Sequence, residues 1–173
     1  SSGTSLTVEQ IKLISRYTPN ITILYDGDPA GIKASFRGID LILEQGMNVK
    51  IVLFPEGEDP DSFVRNNSTS ETEDLINNTA VDFIKFKTSL LKTETANDPS
   101  GKAALIKDIV LTISLIPDGI SRSVYIKECS ILLDVREQTL MNELNKLLRQ
   151  KFRKQTNIPP EVISLEDIKD KRL

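Results

Sequence analysis

A chain of 173 residues with no histidine and one cysteine, Cys129, can form no internal disulfide, no zinc site of the usual kinds and no histidine-based catalytic dyad or triad. Any metal it binds is a hard cation held through oxygen, such as Mg2+ or Mn2+. No apolar run approaches the ~20 residues needed to span a bilayer, and the opening "SSGTSLTVEQ" lacks the order of a signal peptide, so a cytoplasmic location without membrane contact is expected.

In chain order, Thr7 with Gln10 three residues later makes a capping box, and "VEQIKLISRY" follows with Val8, Ile11, Leu13 and Ile14 at helical spacing. "NITILY" is short and β-branched, as expected of a strand buried on both faces. After "DGD", the apolar positions Ala30, Ala34, Ile39, Ile42 and Leu43 predict one helix over 29–45, closed by Gly46. "NVKIVLF" predicts a second buried strand. This order predicts a parallel α/β unit with a right-handed crossover.

From about residue 60 the pattern changes. Asp61 caps a short helix through Val64, and "NNSTSETED" is expected to be a polar loop leading to a helix start. Helices follow over 79–93, 101–116, 121–134 and 136–153, separated by "NDPSG" and "PDG". The stripe Leu105, Ile109, Ile113 and Ile116 and the stripe Leu140, Leu144, Leu147 and Leu148 must pack together. The expected class is α/β followed by all-α, with an α/β unit over 1–68, a helical subdomain over 69–154 and a linker or tail over 155–173.

Two acidic clusters stand where strands give way to loops: "DGD" at 26–28 and "EGEDPD" at 56–61. In a parallel sheet all strand C-termini share one edge, where ligands bind. Neighbouring strands lie about 5 Å apart, so Asp26 and Asp28 would face Asp59 and Asp61 across a gap a divalent cation can fill. Asp and Gly are also ordinary turn residues, and Asp28 before Pro29 is an ordinary cap, so each cluster taken singly has a purely structural reading.

"YDGDPAG" followed by "FPEGEDPDSFVR" closely resembles the later half of the Toprim catalytic fold in bacterial DnaG-type primases. The lead-in "SGTSLTVEQIKLI" and the helical text "SRSVYIKECSILLDVREQTLMNEL" resemble the same family, so the likeness covers nearly the whole chain. The resemblance implies a partial Toprim-like unit packed with a helical subdomain. It also implies RNA primer synthesis from nucleoside triphosphates on single-stranded DNA, by two-metal nucleotidyl transfer. On that likeness Asp26, Asp28, Asp59 and Asp61 bind Mg2+ or Mn2+, with Asp26, Asp28 and Asp59 catalytic, while Gly27, Gly31, Gly57 and Glu58 shape the loops. The family's glutamate-bearing first Toprim strand, its basic subdomain, its zinc-binding domain and its C-terminal helicase-binding domain have no counterpart in these 173 residues, so the chain alone is expected to make no primers.

Smaller features carry two readings each. "RQKFRK" at 149–154 either meets nucleic-acid phosphates or is a solvated helix end whose cations suit the dipole. Arg122 and Lys127 could meet template, whereas Lys33 and Arg37 could pair with phosphate or with Asp40 and Glu44. Cys129 reads as core, and Tyr125 and Phe152 are too isolated to form a stacking platform. Competing functions are another Toprim-type enzyme, a topoisomerase or nuclease, or a non-catalytic protein-interaction module.

Overall fold

The computed structural model describes residues 7–26, 29–54 and 60–156. The order is α1 (Val8–Ser15), β1 (Asn20–Tyr25), α2 (Pro29–Ala34), α3 (Phe36–Glu44), β2 (Asn48–Leu53), α4 (Pro60–Asn66), α5 (Thr69–Thr79), β3 (Val81–Asp82), α6 (Phe83–Glu94), α7 (Pro99–Ser114), α8 (Gly119–Leu133) and α9 (Glu137–Thr156). The arrangement is the expected α/β unit followed by helices. Among the described residues no helix is long and apolar enough to cross a membrane.

The local signals that start and stop elements act as read. Thr7 and Gln10 form the reciprocal capping box of α1. Gly46 ends α3 at φ +80°, a conformation glycine adopts without a Cβ clash, and its N–H bonds the Leu43 carbonyl. Asp98 and Asp118 cap α7 and α8 through their carboxylates.

The sheet departs from expectation in two ways. β1 and β2 pair in parallel, with Asn20 opposite Asn48 and Tyr25 opposite Leu53. β2 also pairs antiparallel with β3, so the sheet is mixed, in the order β1-β2-β3. Residues 79–82, expected in a helix, instead close α5 and form this third strand. β1 is consequently at an edge among the described strands, and none of its residues is fully buried, against the expectation of burial on both faces. β2 is the central strand. Val49 and Ile51 enter the main core on one face, while Val52 and Phe54 are buried on the other.

Three helical segments also differ from expectation. The expected helix over 29–45 divides at Ser35 into α2 and α3. The expected polar loop "NNSTSETED" holds most of the first half of α5, capped by Ser68 and Glu71 in a second capping box. α5 buries no residue, so it shows no apolar stripe to read. α4 runs past Val64 to Asn66, with Asp61 in its first turn rather than capping it.

One contiguous core unites sheet and helices. Ile11, Ile39, Ile42, Val49 and Ile51 join Phe83, Leu105, Ile109, Ile113, Ile126, Leu133, Leu140 and Leu144 in the same cluster. Burial of such side chains contributes roughly 1.5–3 kcal/mol each relative to exposure. The α7 stripe is wholly buried as expected, whereas Leu147 and Leu148 of α9 are only partly covered. Leu13 of α1, expected with Ile11 among the apolar positions of that helix, lies on the opposite side and is 54 % exposed. Cys129 is buried, its thiol pushed up to about 11, chiefly by burial.

Polar contacts fix where the helical half sits. Asp82 pairs with Lys50 through its backbone in β3. Its Oδ1 accepts the Ile84 and Lys85 N–H groups at 2.9 and 3.3 Å, capping α6, and its Oδ2 accepts the Tyr125 hydroxyl of α8 at 2.5 Å. Lys87 of α6 is 4 % exposed, yet its Nζ bonds Asp108 at 3.1 Å and Thr112 at 2.8 Å and lies 5.2 Å from the Phe36 ring of α3. These partners compensate the desolvation that a buried ammonium would otherwise suffer. Asp40 of α3 faces the same group. Burial raises its carboxyl above the ordinary value, Lys87 partly offsets that, and its buried Oδ1 has no hydrogen-bond partner.

Two measurements follow. Asp82→Ala removes a helix cap and strands the Tyr125 hydroxyl, and is expected to cost about 2–4 kcal/mol in urea denaturation. For Asp40, the folded state holds its proton more tightly than the unfolded chain, whose value is near 3.8. Between 3.8 and the raised folded value, stability therefore falls as pH rises, and above that window the ionised group is a net burden. Asp40→Asn should be more stable than the parent at pH 7, with the difference shrinking as the pH drops below that window; equal stability at both ends refutes it.

Candidate functional site

The in-register pairing of β1 and β2 brings both strands to their ends together. The Phe54 N–H donates to the Tyr25 carbonyl at 2.8 Å, so the two chains leave the sheet side by side. Asp26 is the first residue past β1 and is exposed at this rim. On the β2 side, buried Phe54 packs against Phe63 of α4 with ring centroids 5.3 Å apart. That contact holds α4 against the strand end, and Asp61, also exposed, lies in its first turn. Asp28 and Asp59, with Gly27, Gly57 and Glu58, lie outside the described residues. Among the described residues no three acids, histidines or cysteines gather as a metal site.

The other side of the rim is braced by a hydroxyl pair that sequence reasoning missed. Ser35 Oγ donates to the Ile32 carbonyl at 2.6 Å and makes a short hydrogen bond with the Tyr25 hydroxyl. Burial raises the Tyr25 hydroxyl's pKa, an effect the Ser35 contact reduces. This links the last residue of β1 to the α2–α3 junction. The only trace in the sequence is a serine inside an otherwise helical pattern.

Lys33 ion-pairs with Glu94 of α6 at 2.6 Å rather than with Asp40 or Glu44. Arg37 is exposed. Arg122, weighed as a template contact, donates to the Ile116 and Pro117 carbonyls at 2.7 and 2.9 Å and so closes the end of α7. Two open hollows of about 480 and 360 Å3 lie along α9, away from the rim.

Comparison with known proteins accords with this geometry. Residues 1–64 match the Toprim-like family, and residues 88–138 match the DnaB-helicase binding domain of primase. The sequence alone had assigned helicase contact to a domain outside the chain; the second match falls within it. The DNA primase of Clostridium acetobutylicum is 37 % identical over 141 residues, covering 81 % of this chain and 23 % of that protein. The chain thus spans about a quarter of the length of the curated relatives it matches. A crystal structure of a DNA primase domain from Pseudomonas aeruginosa superposes with a TM-score of 0.68 at 28 % identity, over 83 % of this chain and 46 % of that one. A DnaG primase catalytic domain bound to ssDNA gives a TM-score of 0.67 at 28 % identity, over 80 % and 45 %. With sequence and fold agreeing across most of its length, the chain belongs to the bacterial DnaG-type primases, matching them in a Toprim-like unit and the helices that follow.

Proposed function

We propose that this chain carries the acidic, metal-holding rim of a DNA primase, a DNA-directed RNA polymerase that makes short RNA primers from nucleoside triphosphates on single-stranded DNA. The observation that carries the reading is the register that sets Asp26 beside the β2 exit leading to Asp61. Asp26, Asp28, Asp59 and Asp61 are the ligands assigned to Mg2+ or Mn2+, with Asp26, Asp28 and Asp59 the catalytic members. The donor chemistry fits: these are hard carboxylate oxygens, the chain has no histidine, and its one thiol is buried in the core. Asp26, Asp28, Asp59 and Asp61 would hold such cations, which would supply the charge neutralisation that two-metal nucleotidyl transfer requires.

The residues of the chain do the positioning. Phe54 and Phe63 fix α4 on the strand end, and Tyr25 with Ser35 fixes the start of the crossover. Converging carboxylates repel one another until a cation neutralises them, so the rim favours metal without needing a deep pocket. We assign the glutamate-bearing strand of the family to a part of the primase outside these 173 residues, which leaves the chain alone inactive. The match over 88–138 supports a replicative-helicase contact on α6–α8 in addition to one elsewhere in the protein. The cytoplasm is the assigned site of action.

In a primase containing this whole segment, Asp26→Asn with Asp28→Asn should lower primer synthesis at least ~100-fold, since even outer-shell changes at metal sites reach that figure. Circular dichroism should be unchanged and Mn2+ binding, followed by its paramagnetic resonance, weakened. Full activity of the folded variant refutes the assignment. The purified 173-residue chain should incorporate no ribonucleotide on a single-stranded template, and detected incorporation removes the need for a strand supplied elsewhere.

A further inference from the structure

The C-terminal half of α9 is chemically unlike the rest of the chain. From Lys146 to Thr156 it carries Lys146, Arg149, Lys151, Arg153 and Lys154 with no acid among them. Lys146, Arg149 and Arg153 recur at intervals of three and four, so they share one side of the helix, and all three are exposed. Phe152 follows Arg149 by three residues on that side and is 67 % exposed. Asn145, Arg149, Phe152 and Arg153 border the larger of the two hollows along α9.

Neither the helix dipole nor ion pairing accounts for this side. The dipole favours cations in the last turn, which holds Arg153 and Lys154, whereas Lys146 and Arg149 stand earlier. Elsewhere the cations have partners: Lys33 pairs with Glu94, Lys85 with Glu128 and Lys87 with Asp108, while Lys92 and Arg122 donate to carbonyls. Among the described residues Lys146 and Arg149 pair with no acid, although Glu143 lies three residues before Lys146. Like charges at these spacings repel and weaken a helix, and a polyanion laid along them relieves that repulsion.

The aromatic decides which polyanion fits. Phe152 on its own is too isolated to form a stacking platform, but Arg149 one turn earlier adds a guanidinium plane on which bases also stack. A strand with unpaired bases can use both, whereas a duplex keeps its bases stacked inside and meets only the charges. An apolar protein segment would find a single exposed ring.

We propose that this side of α9 is a second contact for single-stranded DNA, apart from the acidic rim, with Lys146, Arg149 and Arg153 on its phosphates and a base stacked on Phe152. The choice of DNA rests on the primase reading; the surface itself rests on charge, spacing and exposure. The contact holds the strand and takes no part in the chemistry.

Anisotropy of a labelled oligo(dT) with the whole 173-residue chain tests it, in EDTA so that metal at the rim plays no part. With three phosphates neutralised, the logarithm of affinity should fall against that of salt with a slope of about −2. Lys146→Gln with Arg149→Gln should weaken binding and flatten the slope to about −0.7. Phe152→Ala should weaken binding about fivefold or more and leave the slope unchanged. These side chains are exposed, so circular dichroism should match the parent's in each variant. No binding by the parent overturns the proposal, as does equal binding by the Lys146 and Arg149 variant. A duplex bound as tightly as the single strand, or indifference to Phe152→Ala, reduces the surface to a general polyanion contact and overturns it. Displacement of the oligonucleotide by polyglutamate at equal charge gives this side to an acidic protein and also overturns it. Binding lost in Asp26→Asn with Asp28→Asn but intact in the α9 variants moves the strand to the rim, overturning this contact while the primase reading stands.

Discussion

The architecture turns on Asp82. Its backbone adds a short antiparallel strand to β2, one carboxylate oxygen caps α6, and the other takes the Tyr125 hydroxyl from α8. Three elements from different parts of the chain thus meet on one side chain. The contact converts β2 from an outer strand into the central one and fixes the direction in which the helical half leaves the sheet. With that direction set, Phe83 and Ile84 fall directly onto the core shared with Val49 and Ile51, and Phe83 meets Phe36 edge to face at 5.4 Å.

The rim depends on a second constraint, the parallel register of β1 and β2. A slip of one residue would turn every β1 side chain to the opposite face and separate the two exits. The core side of β1 resists such a slip, since Ile21, Ile23 and Tyr25, which pack against the main core, would turn away from it. Acidic turns are commonplace in isolation; their placement on adjacent strand ends is what gives the pair chemical meaning. Around the strand ends the scaffold is apolar on the β2 side, where Phe54 meets Phe63, and braced by the Tyr25–Ser35 hydroxyl contact on the β1 side.

Much of this was written locally in the sequence. Thr7 with Gln10 marks a helix start, Gly46 a stop, and Leu105, Ile109, Ile113 and Ile116 a buried face, because each signal needs only neighbours within two turns. The strand-to-loop position of Asp26 was legible for the same reason. β3 was not, since two residues have no period and their strand character comes wholly from Lys50 and Ile51. α5 lacked a stripe because it buries nothing, although Ser68 and Glu71 carried its capping signal. The break at Ser35 and the pairing of Lys33 with Glu94 depend on partners 10 and 61 residues away, which no local pattern encodes.

The isolation of Cys129 has a practical consequence. Its sulfur lies among helices α6 and α8, near the Thr88 hydroxyl at 3.8 Å, with water shut out and its ionisation suppressed. A thiol in that state is nearly inert to alkylating reagents until the helices part. Because it is the lone sulfhydryl in the sequence, a single modification counts a single event. The rate at which the native protein takes up a maleimide therefore clocks how often the helical half opens, a built-in stopwatch that needs no engineered label.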